Sequence, residues 1–113
     1  MGILINSDQL STNSGLWLPN YNNPIPITSL PFTAPCPCLA FLRFTRIDWS
    51  YVIIYVNNNS VDYDRNDYSD KLSSCGFQIW LNTNDVVSFE TDTQYVATFQ
   101  PSESHYFPLQ LIS

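Results

Sequence analysis

The sequence predicts an all-β protein, an antiparallel, jelly-roll-like β-sandwich preceded by an extended Pro/Asn-rich N-terminal arm. Three observations predict it. Seven Tyr, seven Phe and three Trp, together with many Ile, Val and Thr, suit a pleated and half-buried surface. Eight prolines would break any long helix, and only two Glu, one Lys, one Met and three Ala are present to build one. Turn signals recur about every eight to twelve residues beyond residue 39, the rhythm of sandwiches and jelly rolls.

The 113 residues make one domain, with room for a single core. Two parts are expected within it: an extended arm over residues 1–38 and the β-sandwich over residues 39–113. Six of the eight prolines fall in residues 19–37 among Asn20, Asn22 and Asn23. Proline fixes its own φ and pushes its predecessor toward extended backbone, so this stretch reads as an arm broken by turns. Such an arm either lies along its own sheet or reaches a neighbouring subunit.

From Leu39 regular alternation begins. Ala40, Leu42 and Phe44 face one side, with Arg43 and Thr45 on the other. Val52, Ile54 and Val56 line one face of the next run, opposite Trp49, Tyr51 and Tyr55. Asn57-Asn58-Asn59-Ser60 reads as a turn, because Asn tolerates the left-handed region. A short strand over residues 61–63 leads into an acidic loop over residues 62–70. Phe77, Ile79 and Leu81 then alternate with Gln78, Trp80 and Asn82. Further strands are expected over residues 86–89, 94–99 and 105–112, the last at a sheet edge or bulged, since Pro108 cannot donate a ladder hydrogen bond.

Charge narrows the partners. The net charge is −6, and the cations are Arg43, Arg46, Arg65 and Lys71 alone. Nucleic acid is not expected as a partner, because neutralising phosphates takes several clustered cations, and an anionic membrane is disfavoured for the same reason. No segment combines a basic start, a long apolar run and a small-residue cleavage site, so retention in a cytoplasm, or exit inside a larger assembly or by lysis, is expected.

No catalytic constellation is expected, and no cofactor. His105 is the only histidine, and pairing it with Cys75 and a carboxylate depends on geometry that composition does not supply. Cys36, Cys38, Cys75 and His105 have zinc-compatible chemistry, but Cys36-Pro37-Cys38 lacks the wider spacing of a zinc knuckle. Three cysteines read as free thiols, with a single bridge from Cys75 to Cys36 or Cys38 as the alternative. No metal site is expected; Asp62, Asp64 and Asp67 come nearest, as a looser calcium site, but lack the Gly and bidentate Glu of an EF-hand. Glycine-rich phosphate loops are ruled out by a total of three glycines. The aromatics carry the functional signal: Trp17, Tyr21, Trp49 and Tyr51 are the candidate contact residues for another chain or a glycan.

Five phrases occur in order over residues 32–109: Phe32-Thr33-Ala34-Pro35, Val56-Asn57-Asn58-Asn59-Ser60-Val61, Asn84-Asp85-Val86-Val87-Ser88-Phe89, Ala97-Thr98-Phe99-Gln100-Pro101 and Phe107-Pro108-Leu109. In this the chain resembles a β-sandwich module found in virion proteins of tailed bacteriophages. It departs from that layout at Asn84-Asp85, where Gly-Asp is usual, and at Cys36-Pro37-Cys38, where a Gly often follows the opening Pro. The resemblance implies a non-enzymatic structural protein of a virion assembled in the host cytoplasm: a capsid auxiliary or decoration protein, a head fibre, or a tail-fibre tip. It implies attachment through the N-terminal arm, the major capsid protein or other virion proteins as partners, and a homo-oligomer such as a trimer. A carbohydrate-binding, receptor-recognition module with a host glycan as partner is the alternative.

Overall fold

Alternation of apolar and polar residues builds nearly every long strand. The computed structural model describes residues 16–66, 72–92 and 94–112. It contains ten strands: β1 (Leu16–Pro19), β2 (Ile25–Pro26), β3 (Phe32–Thr33), β4 (Cys38–Ile47), β5 (Tyr51–Val56), β6 (Asn59–Arg65), β7 (Leu72–Leu81), β8 (Val86–Thr91), β9 (Thr98–Phe99) and β10 (His105–Ile112). A single 3₁₀ turn at Pro101–Glu103 is the only helical element among the described residues, so none is long and apolar enough to cross a membrane.

The strands form two antiparallel sheets. The first has the order β1-β10-β4-β7, with β2 beside β10 and β9 beside β4; the second has the order β3-β8-β5-β6. Ala40, Leu42 and Phe44 of β4, Phe77, Ile79 and Leu81 of β7, Val52 and Ile54 of β5 and Val87 of β8 make one buried cluster. Both sheets therefore turn an apolar face to the same core. Phe44, with no exposed surface, lies 5.1 Å from the Phe89 ring, 5.5 Å from Phe99 and 5.7 Å from Phe77, joining the sheets through edge-on and tilted rings.

Residues 16–38 contribute three short strands, broken by turns and bends, to the protein's own sheets. β1 and β2 pair with β10 and β3 pairs with β8, while Ile27 and Ala34 are buried in the core. Sheet pairing is thus present from Leu16 onward, before the expected residue 39; the first 15 residues lie outside the described ones.

Local details depart from expectation for identifiable reasons. The β5–β6 turn is the two residues Asn57 and Asn58, at φ 52° and 67°, and Asn59 and Ser60 already pair with β5. Positive φ at both positions matches the right-handed twist of a hairpin. The expected acidic loop is strand as far as Arg65, so Asp62 and Asp64 are ladder residues. The expected strand over residues 94–99 shrinks to Thr98–Phe99, because side chains take up the backbone donors: Gln94 N–H donates to Asp92 Oδ1 (2.7 Å) and Ala97 N–H to Thr91 Oγ1 (3.0 Å). The strand containing Pro108 is interior and regular there, not an edge: β10 runs between β1 and β4. The Pro108 carbonyl still accepts from Asn20 N–H (2.8 Å), and the donor it lacks falls just past Pro19↔Leu109, the last pair of the β1 ladder.

One irregularity has a large effect. Between Ile54 and Tyr55 the β5–β6 register slips, leaving Val61 as an extra residue. Asp62 and Asp64 then stand opposite the inward Ile54 and Val52, while Tyr63 stands opposite the outward Ile53. Asp64 ion-pairs with Arg46 of the other sheet, and Arg46 Nη1 also donates to the Arg65 carbonyl (3.0 Å).

Phe44→Ala is expected to destabilise the protein by about 3–5 kcal/mol, read from the urea midpoint at unchanged m-value. Asp64→Asn, which leaves the largely buried Arg46 without its counter-charge, is expected to cost about 1–3 kcal/mol in the same assay.

Candidate functional site

The side chains that can meet a partner lie on the outward face of the second sheet. Strand alternation sends Val52 and Ile54 into the core and leaves Tyr51, Ile53 and Tyr55 on the opposite face. The Val61 bulge adds Tyr63 to that face, and the Tyr51 and Tyr63 rings stack at 6.2 Å with 29° between planes. Trp49 extends the surface at one end, with the Arg65 guanidinium 6.0 Å from its ring. At the other end Tyr55 donates to Glu90 Oε1 (3.0 Å). That hydrogen bond, more than its partial burial, pushes the Tyr55 phenol above its ordinary pKa.

A shallow depression of about 460 Å³ runs along this face, lined by Ile53, Tyr55, Ser60, Val61, Asp62 and Tyr63. Tyr63 is 54% exposed and Val61 50%, an unusual outlay of apolar surface on two neighbouring edge residues. Ser60, opposite the outward Tyr55, and Asp62 complete its lining.

The four expected contact residues fall at separate places. Trp49 and Tyr51 belong to this face. Tyr21 lies in the turn after β1, exposed, with its ring 5.0 Å from Phe107 of the first sheet. Trp17 on β1 is half-buried, and its indole N–H is buried with no acceptor. Ile53, Tyr55, Val61 and Tyr63 were not singled out as site residues. The period-two spacing of Tyr51, Ile53 and Tyr55 was a usable signal for two of them, whereas Tyr63 reaches this face only because of the bulge.

Among the described residues the candidate ion and metal ligands do not converge. Asp64 is engaged by Arg46, Asp62 accepts from the Tyr63 N–H (2.8 Å), and Asp67 lies outside the described residues. Among the described residues no three His, Cys, Asp or Glu side chains gather as they would around a metal. Cys38 is opposite Leu81 and Cys75 opposite Phe44, six positions along β4, so the two are separated by about 20 Å at the rise of a strand. No disulfide joins them, and Cys36, Cys38 and Cys75 are all free thiols. His105 is opposite Phe41, on the outward face that Cys38 does not share.

Burial holds the thiols protonated: Cys38 and Cys75 are each pushed up to about 12, and Cys36, less enclosed, is raised by the same cause. Because the folded state keeps these protons longer than the unfolded chain does, stability present below pH 9 is lost as pH climbs from 9 toward about 12. An aromatic disulfide reagent at neutral pH is expected to modify Cys36 well ahead of Cys38 and Cys75, and all three at equal rates in denaturant. The fall in melting temperature above pH 9 is expected to be shallower in Cys38→Ala; an identical slope would count against burial as the cause.

No protein-family model, curated protein or solved structure matches the chain, and the two outward faces are therefore read from their own chemistry.

Proposed function

We propose that this protein is a non-enzymatic structural component of a bacteriophage virion, a jelly-roll module whose work is surface contact. A capsid auxiliary or head-fibre role is the form proposed. The carrying observation is the outward aromatic face of Tyr51, Ile53, Tyr55 and Tyr63 on β5 and β6, extended by Trp49 before β5. Tyrosine and tryptophan at this density are typical of association surfaces, since each ring contributes large contact area at little rotamer cost. The strand order supports the jelly roll. With β2 and β9, which lie off the main path of their sheet, set aside, the remaining eight, renumbered along the chain, run 1-8-3-6 in one sheet and 2-7-4-5 in the other. The face carries the Glu90 carboxylate on a chain of net charge −6, so its partner is a neutral or basic protein surface.

Glycan binding is the second reading, favoured by one observation. The stacked Tyr51 and Tyr63 rings border a depression with Ser60 and Asp62 in it, the layout of an apolar platform with polar groups beside it.

Light scattering on the purified chain is expected to report a homo-oligomer, and mass spectrometry of purified virus particles is expected to find it. The double variant Tyr51→Ala/Tyr63→Ala should weaken self-association or particle binding by about ten- to a hundredfold with little change in melting temperature. A monomer absent from particles that binds neutral glycans through these tyrosines would replace the first reading by the second. Deleting residues 1–15, which removes no described strand, is expected to leave the fold intact and abolish attachment; undiminished attachment would remove the arm from the proposal.

A further inference from the structure

The outward face of the first sheet carries a second feature of different chemistry. A groove of about 290 Å³ is lined there by Phe41, Arg43, Gly76, Gln78, Glu103 and His105, with Leu42 and Phe77 at its base. Its walls are built by the ladder. Phe41 lies opposite His105 on one side and Gln78 on the other, and Arg43 lies opposite Gly76. With no side chain at Gly76, the Arg43 guanidinium lies across the neighbouring strand; a Cβ there would sit 3.7 Å from Nη1.

The rim is fixed rather than loose. Between the β9 and β10 pairings the chain makes the 3₁₀ turn Pro101–Glu103 above β4. Ser104, 2% exposed, accepts from Arg43 N–H (3.0 Å) and donates to the Gln100 carbonyl (2.8 Å), while Gln100 N–H donates to the Arg43 carbonyl (2.8 Å). These bonds hold Glu103 and Arg43 on the same groove.

The charges in that groove are not spent on each other. Arg46 pairs with Asp64 and Arg65 lies over Trp49, but among the described residues neither Arg43 nor Glu103 is in an ion pair. On a chain of net charge −6, a guanidinium that lies over a glycine gap, unpaired among the described residues, shares the groove with the acidic residue Glu103, and a ligand can engage both. Arginine presents a planar fork that takes a carboxylate through two parallel hydrogen bonds. Glu103 accepts hydroxyl donors, and Gln78 both donates and accepts. The Phe41 and His105 rings, 5.6 Å apart and tilted by 30°, give an apolar wall for the C–H face of a sugar ring. The volume is at the lower end of about 300–1,000 Å³ for small-molecule sites, which fits one monosaccharide. A compact multivalent anion such as phosphate is opposed by Glu103 and by the net charge, whereas a single carboxylate with hydroxyls at its far end meets complementary groups at both ends.

We propose that the Arg43–Glu103 groove is a binding site for an acidic monosaccharide, with Arg43 taking its carboxylate and Glu103 and Gln78 its hydroxyls. The site is on the opposite sheet from the aromatic face and does not rest on the assembly reading.

Amide chemical-shift titration of the full chain tests it, with D-glucuronate, D-glucose, inorganic phosphate and glycine as separate probes. Glucuronate is expected to shift amides of β4, β7 and the Pro101–Glu103 turn and to bind at least about tenfold more tightly than the other three. Arg43→Gln should lose about tenfold in glucuronate affinity, and Arg43→Lys, which keeps the charge without the fork, should fall between. Arg43 is exposed, so an unchanged melting temperature is expected. Tyr63→Ala on the other face should leave glucuronate binding intact. Four results would overturn the proposal: no shifts in the groove with glucuronate, equal affinity for glucose, phosphate or glycine, full binding by Arg43→Gln, or shifts confined to the Tyr51–Tyr63 face.

Discussion

The Phe44 side chain is where the two sheets become one structure. It has no exposed surface, and three rings from other strands close on it, one of them from the opposite sheet. Phe44 belongs to β4, which carries β7 along its whole length on one side and β10 and then β9 on the other. Losing the fit at this ring would loosen both edges of the first sheet and its contact with β8. The outward faces depend on it too, because strand alternation ties Arg43 and Phe41 to the direction in which Phe44 and Leu42 point.

From that shared core follow two outward faces with contrasting character. One is tyrosine-rich and shallow, with a carboxylate nearby, the surface chemistry of chain-to-chain contact. The other has a compact groove with separated opposite charges and an aromatic wall, the chemistry of a small polar ligand. The proposed use of one sheet for assembly and the other for a ligand requires faces held rigid by a common interior. The segment over residues 16–38 adds to that rigidity by pairing with β10 and β8, which gives the proposed arm a firm base on the domain itself.

Several elements were legible from residue order. Alternation named the inward residues of β4, β5 and β7 correctly, since period two is a local property and apolar side chains must leave water. The bounds of β10 were also readable, although Pro108 suggested an edge. Its interior place depends on where the β1 ladder ends, a long-range fact. The strand expected over residues 94–99 failed because Asp92 and Thr91 bind nearby backbone donors, a competition that β-propensity does not register.

The sequence by itself determined the all-β class, the inward faces of the long strands and the poverty of cations. The tertiary structure alone decided which residues those faces present to the outside. Had β6 continued from its Asn57-Asn58 turn without a bulge, Tyr63 would point to the core and Asp64 to solvent. The single extra residue Val61 reverses both, sending Asp64 in to Arg46 and Tyr63 out to Tyr51. A register slip of one residue exchanges the two faces of a strand, and here it brings the Asp64 carboxylate to the largely buried Arg46 of the other sheet.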